Sequence, residues 1–469
     1  MLNIFMQKLN KALWPMAGLL LFFLFMQPLT AQAATIRVCL QTSAVNAEFK
    51  VIRGEYTVRG GSLQPEVMAE AEEGDTLRTV KGGSGFTVYL NGRNEGMSSV
   101  NVSVLAEDAD SVIEFNGRQY RGSFSVLTNG YILNVLDMEA YLYGVVGEEI
   151  GYNAPKEALR AQAIVARSYA AYNMGGKYYD VLATTASQVY GAYTAEKAHD
   201  STAVHNAVDD TAGLVLYYDG KLVEAVFCSS AGGRTEDNEN VWGGSPVPYL
   251  RGVVSPYDKD YAYYEWTVTY TPQQLKNLAE SYMQRIKQEG SFGNFVRLEL
   301  SYKAAGGGDT ESGRVTKAAI IGTAGSVSAQ RDAVRTMLGL RSTLFSVENS
   351  TGITEPAGEV YVLNAAGNLV RRDWQDLYAI GAGGVKQELA GLTKAYMRSS
   401  AGLNSFSGGM PAGISGDNVV IKGYGNGHGV GLSQYGAIGM AKDDYDAEEI
   451  LRHYYGGEQP RLLKIDDLE

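Results

Sequence analysis

After position 34, apolar and polar residues alternate in short runs separated by glycine and asparagine. Examples are Thr35-Ile36-Arg37-Val38-Cys39-Leu40, Glu48-Phe49-Lys50-Val51-Ile52, Gly85-Phe86-Thr87-Val88-Tyr89-Leu90 and Gly130-Tyr131-Ile132-Leu133-Asn134-Val135. A period of two between turn formers predicts strands. Near Leu136 the period lengthens. Asp137 suits a helix N-cap, and Met138, Tyr141, Leu142, Val145 and Val146 follow at the spacing of one helical face. A second helix is predicted from Asn153, its N-cap, with Pro155 in the first turn and Leu159, Ala163, Ala166 and Ala170 on one face.

Farther along, strand character returns from Gly213 to Phe227, followed by a polar glycine turn from Cys228 to Gly233. Gln273 to Lys287 reads as a helix, and Phe295 to Tyr302 and Val315 to Ile321 as strands. Gly306 to Gly313 is expected to be a surface loop, Thr351 to Gly358 a linker or long turn, and Leu403 to Gly416 a loop rich in Gly, Ser and Pro. Asp446 and Glu449 form a capping-box pattern ahead of Ile450, Leu451 and Tyr454. Strands and helices in separate runs predict an α+β fold: mixed β-sheets packed with a helical pair, plus a mostly β peripheral region.

Composition narrows the function classes. The chain has 469 residues, with 52 acidic against 40 basic and a formal charge of −12. At roughly 100–200 residues per domain this is two to three domains. The acidic balance argues against a nucleic-acid partner, which requires a basic face. Two cysteines, Cys39 and Cys228, exclude a disulfide framework and leave a single disulfide or two buried thiols open.

The first 33 residues read as a targeting segment. Lys8 and Lys11 precede an apolar run from Ala12 to Met26, and Ala31-Gln32-Ala33 is a cleavage-site pattern. A cleaved secretory signal is favoured over an uncleaved membrane anchor, so the protein is expected outside the cell and touches a membrane only through this segment.

Several chemistries find no support. No P-loop pattern and no G-x-S-x-G elbow occurs, and the run Gly423 to Gly431 fails the dinucleotide fingerprint in every register. The four histidines, His199, His205, His428 and His453, include no H-E-x-x-H. Carrying the first helix forward at 100° per residue places Glu149 on its apolar stripe, with Glu148 toward the edge. A carboxyl held against apolar side chains is desolvated and suits a general acid. The alternative is that the helix ends at Gly147 and both glutamates are solvated.

The blocks Tyr141-Leu142-Tyr143-Gly144-Val145-Val146-Gly147-Glu148-Glu149-Ile150, Glu157 to Ala163 and Ala166 to Ala170 resemble the stage II sporulation protein D (SpoIID/LytB) family. So do Thr184-Thr185 with Gln188-Val189-Tyr190, Ser229 to Gly233 with Val241-Trp242-Gly243-Gly244, Val247 to Leu250 with Ser255-Pro256-Tyr257-Asp258, and Gly425 to Gly431 with Ser433-Gln434-Tyr435-Gly436. The resemblance implies a peptidoglycan lytic transglycosylase that cleaves the MurNAc–GlcNAc bond of strands lacking stem peptides and leaves 1,6-anhydro-MurNAc ends. It places the catalytic glutamate at Glu149. The other class it implies is a non-catalytic, wall-binding enhancer of an N-acetylmuramoyl-L-alanine amidase.

A lytic transglycosylase needs one carboxyl. It protonates the bridging oxygen and then accepts the proton of the C6 hydroxyl as that oxygen closes onto C1, so no water and no second acid take part. A hydrolase pairing Glu149 with Glu148 or Glu236 would instead leave ordinary reducing ends. Arg167, Gln188, Tyr190, Ser230, His428 and Gln434 are candidate glycan contacts, each with a loop-fixing hydrogen bond as the alternative role. Gly425, Gly427, Gly429 and Gly431 suit a tight loop needing positive φ or close approach. Some members of the family bind zinc through Cys and His-Cys ahead of the Gln-Val-Tyr block. Val181 to Ser187 carries none of these ligands, so a metal-free, cofactor-free member is expected.

The expected division is 1–33 targeting segment, 34–133 β-rich region, 134–262 catalytic core, 263–420 α+β peripheral region, and 421–469 a glycine/histidine loop with helices completing the core.

Overall fold

The computed structural model describes residues 34–347 and 418–468 apart from 45, 61–65, 84 and 458, together with six strands between 360 and 406 in backbone only. The targeting segment and the linker expected at Thr351 to Gly358 lie outside the described residues. The fold is mixed α+β. Chain contacts divide it into two units: one holds the described residues up to Val145 with Asn173–His199, the other Val146–Tyr172 with the residues from Asp200 onward.

The first unit is built on two antiparallel-rich sheets. The larger runs in the order Val181–Leu182, Thr35–Gln41, Ile132–Asp137, Ser123–Val126, Val102–Ala106, Tyr56–Gly60, Glu66–Ala71. The second joins Arg118–Arg121, Val112–Phe115, Asn46–Arg53, Thr76–Gly82, Gly85–Leu90 and Arg93–Ser98. Alternation explains why they pair. Ile36 of the first strand, and Phe49 and Val51 of the second, are buried while the residues flanking them are more exposed; farther along the first strand Val38 and Cys39 are both buried. Phe49, Phe115 and Phe124 form an aromatic core, with ring centroids 5.0–6.0 Å apart.

The helix after Leu136 starts as its sequence requires. Asp137 caps it, accepting from the backbone N–H groups of Glu139 and Ala140, and Met138, Tyr141 and Leu142 are buried. It does not continue to Glu149. It ends at Tyr143, and a separate helix runs Val146–Ile150. The Gly144 carbonyl accepts from the Gly191 N–H at 2.9 Å instead of from the next helical turn. A Cβ on Gly144 would stand 2.8 Å from the Tyr190 ring and 3.1 Å from the Ala192 backbone. A close-packed strand of chain therefore takes the place of the helical bond, and periodicity cannot register it.

In the second unit the long helix Lys156–Tyr172 is the hub. It packs against the helices Val146–Ile150, Thr202–Asp209, Gln434–Lys442 and Ala447–Tyr455 and the strand Leu214–Tyr218. Small buried residues, Ala158, Ala161, Ala163, Ala166 and Ala170, allow that close approach on several sides. The helix begins three residues beyond the Asn153 cap expected from sequence. Gly151, at φ +95°, opens a turn that Ala154 closes by donating to the Gly151 carbonyl, and the first helical bond is Leu159 N–H to the Pro155 carbonyl. The Asp446–Glu449 capping box is present. The strand expected over Gly213 to Phe227 is split into Leu214–Tyr218, Lys221–Leu222 and Phe227–Cys228, because the Tyr218 to Lys221 turn reverses the chain.

A second core in this unit gathers the helix Pro272–Arg285 against the sheet Phe295–Ser301, Lys317–Gly322, Ser326–Gln330 and the sheet Glu265–Tyr270, Val419–Tyr424, Phe345–Val347. Leu275, Phe292, Leu298, Ile320, Val327, Met337 and Ile421 are buried there. Part of the loop expected at Leu403 to Gly416 is a strand instead: Gly402–Phe406 pairs antiparallel with Ala395–Ser399, which supplies backbone partners that composition does not advertise. The rest of that segment lies outside the described residues. Among the described residues no helix is long and apolar enough to cross a membrane.

Candidate active site

Three segments distant in sequence build the surroundings of Glu149 within the second unit. The strand Val419–Tyr424 delivers the glycine run, whose Gly425, Gly427, Gly429 and Gly431 all sit at positive φ, from +70° to +102°. Each is also a close approach. A Cβ on Gly425 would meet the Ser230 carbonyl oxygen at 2.7 Å, and one on Gly427 would meet Cys228 Cβ at 2.9 Å. The run then forms Leu432–Ser433, paired in parallel with Phe227–Cys228, and turns into the helix Gln434–Lys442.

Ser433 caps that helix, its hydroxyl accepting from the Gly436 N–H at 3.2 Å and from the Ala231 N–H at 3.1 Å. Buried Asp258 ties the junction together. Its Oδ2 accepts from Ser230 Oγ at 2.7 Å, from the Gly232 N–H at 3.0 Å and from Ser433 Oγ at 3.3 Å. The first residue of the helix, Gln434, is thereby fixed, and its Nε2 donates to Glu149 Oε2 at 3.2 Å. Glu149 is half-buried on the short helix Val146–Ile150, and Glu148 beside it is exposed and accepts from the Tyr152 hydroxyl at 3.2 Å. The two glutamates thus differ in setting. The expectation that one continuous helix carries Glu149 on its apolar stripe is corrected: the helix ends at Tyr143, and the Glu149 carboxylate on the next short helix accepts from the Gln434 amide.

The other candidates are held internally. Arg167 is fully buried in the second unit and donates to the carbonyls of Leu214 and Val208, joining the long helix to a strand and to a helix C-terminus. Ser230 is buried and bound to Asp258, the loop-fixing role. In the first unit, Gln188 is buried and accepts from the Tyr141 hydroxyl, while the Tyr190 hydroxyl donates to Asn134 Oδ1 at 2.9 Å. Burial pushes the Tyr190 phenol well above its ordinary value, so it is a donor at physiological pH. Glu236 is buried and accepts from Asn240 Nδ2, the Asp237 N–H and the Ser312 hydroxyl, which makes it a loop anchor.

His428 is bonded at both ring nitrogens: Nε2 faces the Phe227 carbonyl at 2.7 Å, and Nδ1 accepts from the Val430 N–H at 3.2 Å. Those partners assign the neutral Nε2–H tautomer. Burial lowers its pKa from 6.5 to about 4. The unfolded chain therefore binds a proton between pH 6.5 and about 4 that the native chain refuses. His428 contributes stability that is whole above pH 6.5 and is lost as pH falls to about 4. Urea titrations of the parent and His428→Gln should show this: the parent's midpoint falls more steeply across that window.

Cys39 and Cys228 are both free and buried, and burial lifts the Cys228 thiol to about 11. Among the described residues no group of three or more His, Cys, Asp and Glu is placed to hold a metal. Three exposed rings were not among the candidate contacts: Trp242 and Tyr435, which lie within the family-like blocks, and Tyr263, which lies in none. Trp242 stacks near His428 with ring centroids 4.9 Å apart. The available signal for Trp242 and Tyr435 was their place beside Gly243 and Gly436.

Residues 128–218 match the SpoIID family model, described as stage II sporulation protein, and residues 255–368 match a domain of unknown function, DUF8618. The chain is 27% identical over 427 residues to an uncharacterised protein of Brachyspira hyodysenteriae, covering 89% of this chain and 91% of that protein. It is 28% identical to the stage II sporulation protein D of Bacillus subtilis, covering 69% of this chain and 74% of that one. It is also 28% identical to the amidase enhancer of Bacillus subtilis, covering 67% of this chain and 39% of that longer protein.

Proposed function

We propose that this chain, which carries a SpoIID domain over residues 128–218, is a peptidoglycan lytic transglycosylase acting on glycan strands without stem peptides, with Glu149 as its general acid and base. The observation that carries the reading is the pairing of a half-buried carboxylate, Glu149, with the amide of Gln434 at 3.2 Å, at the junction of three of the family-like blocks. Its relatives named for sporulation and for amidase enhancement support a cell-wall role.

The chemistry follows from that single carboxyl. Protonated Glu149 gives its proton to the bridging oxygen as the bond to C1 of MurNAc breaks through an oxocarbenium-like state. The carboxylate then accepts the C6 hydroxyl proton while that oxygen bonds C1, which closes the anhydro ring and returns the carboxyl to its starting form. Gln434 holds the carboxylate by one oxygen through both halves. No cofactor enters. The short helix Val146–Ile150, packed on Lys156–Tyr172, carries the acid, and the segment after Gly431 supplies Gln434. Residues 1–33 export the chain to the wall and are cleaved or retained as an anchor.

Digestion of denuded glycan followed by mass spectrometry tests the reading. Anhydro ends are expected. Reducing ends would indicate hydrolysis, and absence of product would favour the second reading, a wall-binding enhancer of an amidase, which the amidase-enhancer relative supports.

A further inference from the structure

We propose that Arg341 reads the free lactyl carboxylate of MurNAc, from a tyrosine platform that begins beside the Glu149–Gln434 pair. The inference rests on the glycan-binding part of the proposed function and adds to it the residue that distinguishes stripped strands from peptide-bearing ones.

The platform is continuous. Tyr435 follows Gln434 in the helix, and its ring stacks on Tyr261 with centroids 3.9 Å apart and planes 31° apart. Tyr261 meets Tyr263 edge-on at 5.6 Å, and the Arg341 guanidinium lies over the Tyr263 ring at 3.7 Å. Backbone and side-chain bonds fix these parts to the glycine run: the Tyr261 hydroxyl accepts from Asn426 Nδ2 at 3.0 Å, and the Gly427 N–H donates to the Arg341 carbonyl at 2.9 Å. Tyr435 and Tyr263 are 36% and 45% exposed, so the rings are presented to solvent instead of filling a core. Exposed tyrosines at this density offer pyranose rings an apolar face and a hydroxyl at low entropic cost.

Arg341 is the informative member. Its side chain is exposed, stacked, and without a carboxylate or hydrogen-bond partner among the described residues. Arg251 and Arg335 are paired with carboxylates, whereas Arg341 leaves its donor fork open. A stacked guanidinium is preorganised for bidentate recognition of a carboxylate. MurNAc supplies one only when its lactyl group carries no peptide, because the peptide-bearing form is a neutral amide at that carbon. An anionic strand is repelled by the chain's overall charge, so a local cation on the platform is what admits it.

The test uses the Glu149→Gln protein, which holds substrate without turnover, and two probes: a denuded MurNAc–GlcNAc oligosaccharide and the same oligosaccharide with its lactyl carboxyls converted to methylamides. Calorimetry should give about tenfold tighter binding of the carboxylate probe, the scale of one charge-assisted bond. Adding Arg341→Gln should abolish the preference, Arg341→Lys should restore part of it, and Tyr435→Ala should weaken both probes alike. A preference that survives Arg341→Gln overturns the proposal, as does the absence of any preference with Arg341 in place. The two readings separate cleanly. Arg341-dependent preference without anhydro product from the parent sinks the catalytic reading alone; anhydro product with Arg341-independent binding sinks this one alone.

Discussion

Glu149→Gln is expected to lower the yield of anhydro product from denuded glycan by about 10³-fold, the usual scale for loss of a positioned general acid. The substitution is nearly isosteric, and Gln434 Nε2 can still donate to the new side-chain oxygen as it does to Glu149 Oε2. Thermal midpoint and glycan affinity should therefore stay close to those of the parent, and the loss should fall on kcat. Glu148→Gln serves as the internal control, since Glu148 is exposed and bonds only to Tyr152 among the contacts described above. Equal product from parent and Glu149→Gln would remove Glu149 from the reaction. Equal loss in Glu148→Gln would redirect attention to a two-carboxylate hydrolase, in which case the product would carry a reducing end.

Gly431→Ala is expected to destabilise the protein by about 3 kcal/mol, combining the cost of a left-handed backbone with overpacking. Gly431 sits at φ +70°, and a Cβ there would overlap the Val226 carbonyl oxygen and lie 3.2 Å from the Tyr455 ring. Backbone on one side and a fully buried ring on the other leave little room to relax. Gly74→Ala separates the two costs: Gly74 is at φ +96° with nothing within 4 Å of a Cβ, so only the backbone part, about 1 kcal/mol, is expected. Urea unfolding with an unchanged slope and a lowered midpoint checks both. A Gly431→Ala effect no larger than that at Gly74 would show that the loop relaxes and that close approach does not explain its glycines.

The elements that were legible in the sequence are those governed by local rules. Alternation located the strands near Thr35, Glu48 and Gly85, and Asp137 and the Asp446–Glu449 pair marked helix starts that the structure contains. The spacing of glycines from 425 to 431 announced positive φ, and each has it. Nonlocal packing was not legible. The helix break at Gly144 depends on a carbonyl taken by Gly191, and the start at Lys156 depends on the Gly151 turn. Around the candidate site, the Glu149–Gln434 bond joins residues 285 positions apart, and Asp258 became important only when three donors converged on one of its oxygens. No local pattern encodes either. Arg341 and Tyr263 belonged to no block that sequence reasoning used, and only their stacking draws attention to them.

The long helix Lys156–Tyr172 is made well before its neighbours Gln434–Lys442 and Ala447–Tyr455. A bond from the Ala447 N–H to Glu157 spans 290 residues. A nascent chain therefore lacks the Glu149–Gln434 bond until the segment from Gln434 has been made. Any product cut short of Gln434 lacks the amide that holds the acid. Under the proposed function, transglycosylase competence is thus coupled to synthesis of the Gln434 segment, which shields the wall of the cell that makes the protein.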